Sequence, residues 1–268
     1  MPKTILVTGS TDGIGLETAR MLFHSGHQVL LHGRNQAKLE EAERTLCGLP
    51  GGGRVESYLC DLSRMAAVEA LAKAVAEKHA ELDVLINNAG VYNAPDPVTE
   101  DGLDVRFAVN TFAPYLLTQR LMPLLGRFAR VINLSSAAQS PVNPKALAGQ
   151  VHLSAGAAYA QSKLAITQWS RTLALSLDDQ GPAIIAVNPG SMLGSKMVKQ
   201  AFAVAGGDIR IGAEILCRAA LDDEFAAASG QYFDNDSGRF AAHHPDALDA
   251  RKCQEIVGVI EAVLREPM

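Results

Sequence analysis

Seven short apolar runs alternate along this chain with longer stretches of helical periodicity, and that alternation limits the fold more than any other feature. The runs are Ile5–Thr8, Gln28–Leu31, Arg54–Leu59, Val84–Ile86, Arg130–Leu134, Ala183–Val187 and a late Gly230–Phe233. Between them, Ile14–His24, Gln36–Leu46, Met65–His79, Leu103–Leu124 and Ala157–Leu177 carry apolar residues at three- and four-residue spacings. Strands that are apolar throughout and alternate with helices predict a parallel sheet covered on both faces. The expectation is an α/β, doubly wound, single-domain chain over residues 1–268, with a central sheet of about seven strands. No Pro/Ser linker or internal repeat divides it.

Composition narrows the partners. A net charge of −5 argues against nucleic acid or an anionic membrane as partner, and no apolar run is long enough to cross a bilayer. Met1-Pro2-Lys3 passes straight into the strand-like TILVT, which reads as a cytoplasmic protein without a signal peptide. Cys47, Cys60, Cys217 and Cys253 are scattered without metal-ligand spacing, so free thiols are expected and neither a disulfide nor a metal site.

The first strand runs into LVTGSTDGIG (Leu6–Gly15). The loop has the form T-G-x-x-x-G-x-G, without the GxGxxG spacing or the GK[ST] ending of a nucleoside-triphosphate loop. Gly9 permits a sharp turn after the strand. Gly13 lets backbone approach a pyrophosphate, and Gly15 lets the next helix pack closely on the sheet. That helix presents unpaired N–H groups and a positive dipole end to an anion. An ordinary strand–helix turn is the plain alternative, and the loop's place behind the first strand and opening the first helix favours the phosphate reading. The second strand ends in Gly33-Arg34, where an NAD-binding fold places an acid for the ribose hydroxyls. Gly33 has no side chain to repel a 2′-phosphate and Arg34 can fork onto one, which favours NADP. An exposed helix-flanking arginine is the plain alternative, and Asp12, where a second basic residue would help, leaves NAD open.

Three further motifs follow in order. LINNAG (Leu85–Gly90) ends the fourth strand, VINLSS (Val131–Ser136) ends the fifth, and YAQSK (Tyr159–Lys163) lies in a long helix. Tyr159 and Lys163, at i and i+4, share one helix face. A neighbouring ammonium stabilises a phenolate, so Lys163 is expected to lower the pKa of Tyr159 toward the range useful for acid–base work.

Together with TGSTDGIG, these motifs resemble the short-chain dehydrogenase/reductase family, from Lys3 to about Gly190. The resemblance implies a Rossmann fold and hydride transfer between NADP(H), or NAD(H), and a ketone, aldehyde or secondary alcohol. Tyr159 would be the general acid/base and Lys163 would also hold the nicotinamide ribose. Ser136 would position the substrate oxygen, with Ser135 the alternative in register, and Asn110 would hold a water that contacts the lysine. Cofactor contacts are implied for Gly9, Ser10, Thr11, Gly13, Ile14, Gly15, Arg34, Asp61, Leu62, Asn88, Ala89, Gly90, Tyr159, Lys163, Pro189, Gly190 and Ser191. Asp61 would meet the adenine amino group and also reads as an N-cap-region residue. Asn87 would mainly hold the central sheet together.

The length between Ser136 and Tyr159, the GRN ending and AYAQSKLA look like the retinol-dehydrogenase and carbonyl-reductase branch. PGSMLGSKM supplies Ser191 and Ser195 where that family usually has a Thr for the carboxamide. Residues 191–211, with Met192, Leu193, Met197, Val198, Phe202 and Val204, read as a mobile, apolar substrate lid or as a surface excursion. Pairing into a homodimer or homotetramer is implied through the helices containing Asn110 and Tyr159. The amphipathic tail ALDARKCQEIVGVIEAVLRE could pack at home or on a partner. A cofactor-binding sensor without turnover and a nucleotide-sugar epimerase or dehydratase are the other classes. The retained Tyr159 and Lys163 weigh against the sensor, and the short lid, poor in basic residues, weighs against the sugar-nucleotide enzyme.

Overall fold

The computed structural model describes residues 1–265; the last three residues of the expected domain lie outside the described residues. Strand β1 (Thr4–Val7) leads through the glycine loop to helix α1 (Gly13–His24), then β2 (Gln28–Gly33), α2 (Gln36–Cys47), β3 (Arg54–Leu59), α3 (Met65–Lys78) and β4 (Val84–Asn87). A continuous helical run follows: α4 (Val105–Phe107), a π-helical turn (Ala108–Phe112) and α5 (Ala113–Leu121). Next come β5 (Arg130–Leu134), α6 (Pro144–Leu147), α7 (Ala155–Leu177) and β6 (Ala183–Asn188). The chain ends with α8 (Lys196–Phe202), α9 (Ile209–Leu221), β7 (Tyr232–Asp234), β8 (Arg239–Ala241), α10 (Pro245–Leu248) and α11 (Ala250–Arg265).

The strands form one sheet in the order β3-β2-β1-β4-β5-β6-β7-β8. All pairs from β3 to β7 are parallel, with Ile5 opposite both Val29 and Val84. The expectation of about seven strands therefore stands with one addition. β8 returns antiparallel against β7, Phe240 opposite Phe233, and three residues are too few to show a period in sequence.

Two apolar layers hold the sheet between helices. On one face Leu6, Leu85, Val131 and Ile184 pack with Phe107, Phe112, Trp169 and Ile260. On the other, Ile5, Val7, Val29 and Ile185 pack with Leu22, Leu39 and Leu216. Full burial of a large apolar side chain contributes about 1.5–3 kcal/mol, so the sheet is fixed mainly by these side chains. The tail packs at home: Cys253, Ile256 and Ile260 of α11 are buried, and the Tyr115 hydroxyl donates to Glu261 at 3.0 Å. With α11 in place, every residue from Ser162 to Ser170 of α7 is buried. No described helix is long and apolar enough to cross a membrane.

The strand order reverses between β1 and β4. Their carboxyl ends carry the glycine loop and NNAG, so the two motifs meet at the topological switch point, where ligands of open α/β sheets sit.

Candidate active site at the switch point

The glycine loop is built too tightly for side chains at two of its positions. Gly9 has φ 64° and a Cβ there would lie 2.9 Å from the Ala89 Cα. A Cβ on Gly15 would collide with the Gly9 carbonyl and the Asn88 side chain. Gly13, at φ 56°, has only the Ser195 Cβ nearby, at 3.8 Å, so its outer side stays open toward the segment after β6. β4 braces the loop from beneath: Asn88 Nδ2 donates to the Thr8 carbonyl at 2.8 Å and the Gly9 carbonyl at 3.1 Å, and Ala89 N donates to Thr8 Oγ1 at 3.1 Å.

His32 is a brace that the sequence motifs missed. Gly9 N donates to its Nδ1 at 3.0 Å and its Nε2 lies 3.1 Å from the Cys60 carbonyl, so these partners assign the neutral tautomer with hydrogen on Nε2. Burial holds the ring neutral, with its pKa lowered to about 4. The Ser10 hydroxyl is spent on the same strand, accepting from His32 N at 2.9 Å, so its side chain does not face the crevice. Ile14 packs toward Gly212 of α9, and Leu62 is a core residue; neither side chain lines the site.

Arg34 stands exposed beside this loop and pairs with no carboxylate among the described residues. Gly33 is buried under Thr11, whose Cγ2 would lie 2.5 Å from a Cβ. An acidic side chain at position 33 has no space. Asp12, the residue that spoke against a phosphate, caps α1 through Gly13 N at 2.8 Å and pairs with Lys38 at 3.6 Å. Lys38, one helical turn beyond Arg34, is thus a second cation at this edge; its spacing from Arg34 was the available signal. Asp61 accepts from Ser63 N at 3.0 Å and Ser63 Oγ at 2.8 Å in a local turn. It is no helix cap: α3 starts at Met65, whose amide donates to Asp101 at 3.2 Å.

The acid–base residues come together at the mouth of β4 and β5. A Cβ on Gly90 would lie 3.5 Å from Asn110 Oδ1, 3.7 Å from Lys163 Nζ and 3.7 Å from Met197 Cε, so three elements converge on one point. Ser136 faces the Tyr159 phenol closely enough to pull its pKa down. Ser135 turns away, its Oγ 3.0 Å from the Lys163 carbonyl and 2.7 Å from Thr167 Oγ1, so the register leaves Ser136 facing the tyrosine. Lys163 Nζ donates to the Leu134 carbonyl at 2.6 Å, 5.7 Å from the Tyr159 ring centre.

The pKa expected for Tyr159 needs correction here. Burial raises the Tyr159 phenol above the usual tyrosine range, against the pull from Ser136 and with a further push from Tyr92. The ammonium does not offset this, because it is turned to the Leu134 carbonyl and burial lowers its own pKa to about 8. Asn110 lies in the π-helical turn with its side-chain amide hydrogen-bonded on both atoms. Oδ1 accepts from Val91 N at 2.8 Å, while Nδ2 donates to the Val91 carbonyl and Ser162 Oγ, each at 3.0 Å. Its side chain fixes the chain after Gly90. Asn87 bridges strands, Nδ2 donating to Asn133 at 2.8 Å. Tyr92, also unanticipated, stacks on Tyr159 with ring centres 5.0 Å apart.

After β6, Gly190 (φ 121°) and Met192 (φ 53°) turn the chain out into the segment expected as a lid. Gly194 N and Gly207 N bond back within the segment, to the Gly207 and Met192 carbonyls, and Ser195 caps α8 through Val198 N at 3.3 Å. The segment is thus partly helical rather than loop throughout. Among the described residues no cluster of His, Cys, Asp or Glu could hold a metal ion.

A parallel sheet with its phosphate-type loop, tyrosine and lysine at one switch point defines a nucleotide-dependent oxidoreductase of the Rossmann type. The chain belongs to the short-chain dehydrogenase family, whose model matches residues 3–206. It falls in the retinol dehydrogenase branch: it is 31% identical to human retinol dehydrogenase 13 over 87% of this chain and 76% of that one. Human polyprenol dehydrogenase is 35% identical over 70% of this chain and 60% of its own length. Among solved structures, a protein from Mycobacterium paratuberculosis superimposes with a TM-score of 0.81 and 27% identity, covering 99% of this chain and 95% of its own. A metagenomic short-chain oxidoreductase in complex with NADP gives a TM-score of 0.62 at 30% identity, covering 81% and 90%.

Proposed function

We propose that this dehydrogenase uses NADP(H) and moves hydride between the cofactor and an apolar ketone, aldehyde or secondary alcohol, with Tyr159 as general acid/base. The observation that carries the chemistry is the Ser136–Tyr159 pair beside buried Lys163 at the mouth of the switch-point crevice. The residues fit the cofactor. Gly9 and Gly15 allow no side chain, Gly13 leaves the loop open, Arg34 is unpaired and Thr11 fills the place an acid would need at Gly33. NAD, which needs such an acid, is the weaker reading; the NADP in a related solved structure supports the stronger one.

When bound, the cofactor supplies or accepts the hydride. The chain supplies the rest. Tyr159 Oη gives its proton to the carbonyl oxygen in reduction and takes the hydroxyl proton in oxidation, and Ser136 Oγ donates to that same oxygen. The raised phenol keeps Tyr159 protonated, which suits reduction. Lys163 would hold the ribose of a bound cofactor, and Asn110 holds Val91 in register. Met197, whose Cε would lie 3.7 Å from a Cβ on Gly90, brings an apolar side chain of the excursion to the site and favours an apolar substrate. Any homodimer or homotetramer would have to join elsewhere than the middle of α7, which α11 and its other neighbours already cover. A cytoplasmic location goes with this reading.

The test is Tyr159→Phe, assayed by NADPH oxidation across a panel of apolar carbonyls. The variant is expected to bind NADPH normally and lose at least about a hundredfold in kcat, the scale of general acid catalysis. Full turnover would sink the mechanism. NADPH binding by the parent protein without oxidation by any carbonyl would favour the sensor class.

A further inference from the structure

The turn after β6 is gripped from outside by the loop joining β7 and β8. Asn188, buried at the end of β6, donates both amide hydrogens to that loop: to Asp234 Oδ1 at 2.8 Å and to Asp236 Oδ2 at 2.9 Å. Asp236 then accepts from Ser191, from the amide at 2.7 Å and the hydroxyl at 2.5 Å. Asn235 reaches further. Its amide hydrogens go to the Pro189 carbonyl at 2.9 Å and the Ile211 carbonyl at 3.3 Å, while its own backbone N–H donates to the Asn188 carbonyl at 3.1 Å.

Position 211 ends the excursion expected as a lid and position 189 lies two residues before its start, and one side chain ties both. Between Met192 and Gly207 the backbone hydrogen bonds run back to the segment itself. Gly190 and Met192 both take positive φ, a backbone that needs outside support at the non-glycine position. Ser191 gives both its amide and its hydroxyl hydrogen to Asp236, so the hydroxyl read as a cofactor contact is already committed to a carboxylate.

We propose that Asn235 and Asp236 are positioning residues that lock both ends of the 191–211 excursion and thereby set the 189–191 turn against the cofactor. Neither touches the reacting atoms. The clamp rests on the NADP(H) reading for its consequence, though not for its existence.

The experiment compares the full chain with Asn235→Ala and Asp236→Ala, and with Asp236→Asn should the alanine fail to fold. Amide hydrogen exchange is measured without cofactor, and NADPH affinity by fluorescence titration. Loss of bonds to a charged group predicts about tenfold faster exchange across 190–207, with β1 and β5 unchanged, and NADPH bound about tenfold more weakly. Wherever turnover is measurable, the NADPH KM rises by more than kcat falls. Unchanged exchange in both variants overturns the clamp. Faster exchange with unaltered NADPH affinity overturns its positioning role. Should the parent protein bind no NADPH, the proposed function fails, and the exchange result alone still decides whether the loop holds the excursion.

Discussion

Lys163 is 5% exposed, and burial brings its pKa from 10.5 to about 8. The unfolded chain keeps the ordinary value, so between about 8 and 10.5 it binds more protons than the folded chain. Stability therefore rises with pH through that window, and the penalty for the buried ammonium is fully present below it. Lys163→Met is expected to stabilise the cofactor-free protein by up to about 3 kcal/mol at pH 7, at 1.36 kcal/mol per pKa unit, and to abolish turnover. Denaturant midpoints at pH 7 and pH 10.5 check this; equal stability of both proteins at pH 7 would contradict it. The Tyr159–Lys163 spacing was legible because helical period is local. The direction of the ammonium was not, since it depends on where β5 leaves the Leu134 carbonyl.

At the scale of elements, the glycine loop and β2 are one unit. Thr11 fills the space above Gly33, so the two positions have to change together. Gly33→Asp alone is expected to destabilise the protein by about 1–3 kcal/mol through overpacking, without gaining NAD. Thr11→Gly with Gly33→Asp is expected to shift preference toward NAD, read as the ratio of kcat/KM for the two cofactors. A single variant that already favours NAD would show that Thr11 does not seal the position. Gly33 and Arg34 were readable as motif residues. Thr11 as a lid on Gly33, and His32 as the hydrogen-bond acceptor for Gly9, were not, because those contacts join residues more than twenty positions apart. The same holds for the β7–β8 clamp, whose three-residue strands carry no usable period.

Across the whole molecule, the alternation of strand and helix located the sheet and both its layers, while the tail remained ambiguous between home and partner. Its amphipathic face closes over α7 and Tyr115. Ending the chain after Asp249 removes the buried Cys253, Ile256 and Ile260, and at about 1.5–3 kcal/mol for each large apolar group it should cost several kcal/mol. A lower denaturant midpoint together with concentration-dependent association in light scattering is the expected outcome. An unshifted midpoint would mean that α11 contributes little to the fold. An NADP(H)-linked site with Arg34 as the phosphate contact is tested by titrating the protein with NADPH and NADH alongside Arg34→Ala. NADPH is expected to bind more tightly than NADH, by at least about tenfold, and the variant to lose that preference, as removal of a charge-assisted phosphate fork requires. Equal affinity of the parent protein for both cofactors, or a preference that survives without Arg34, would contradict it.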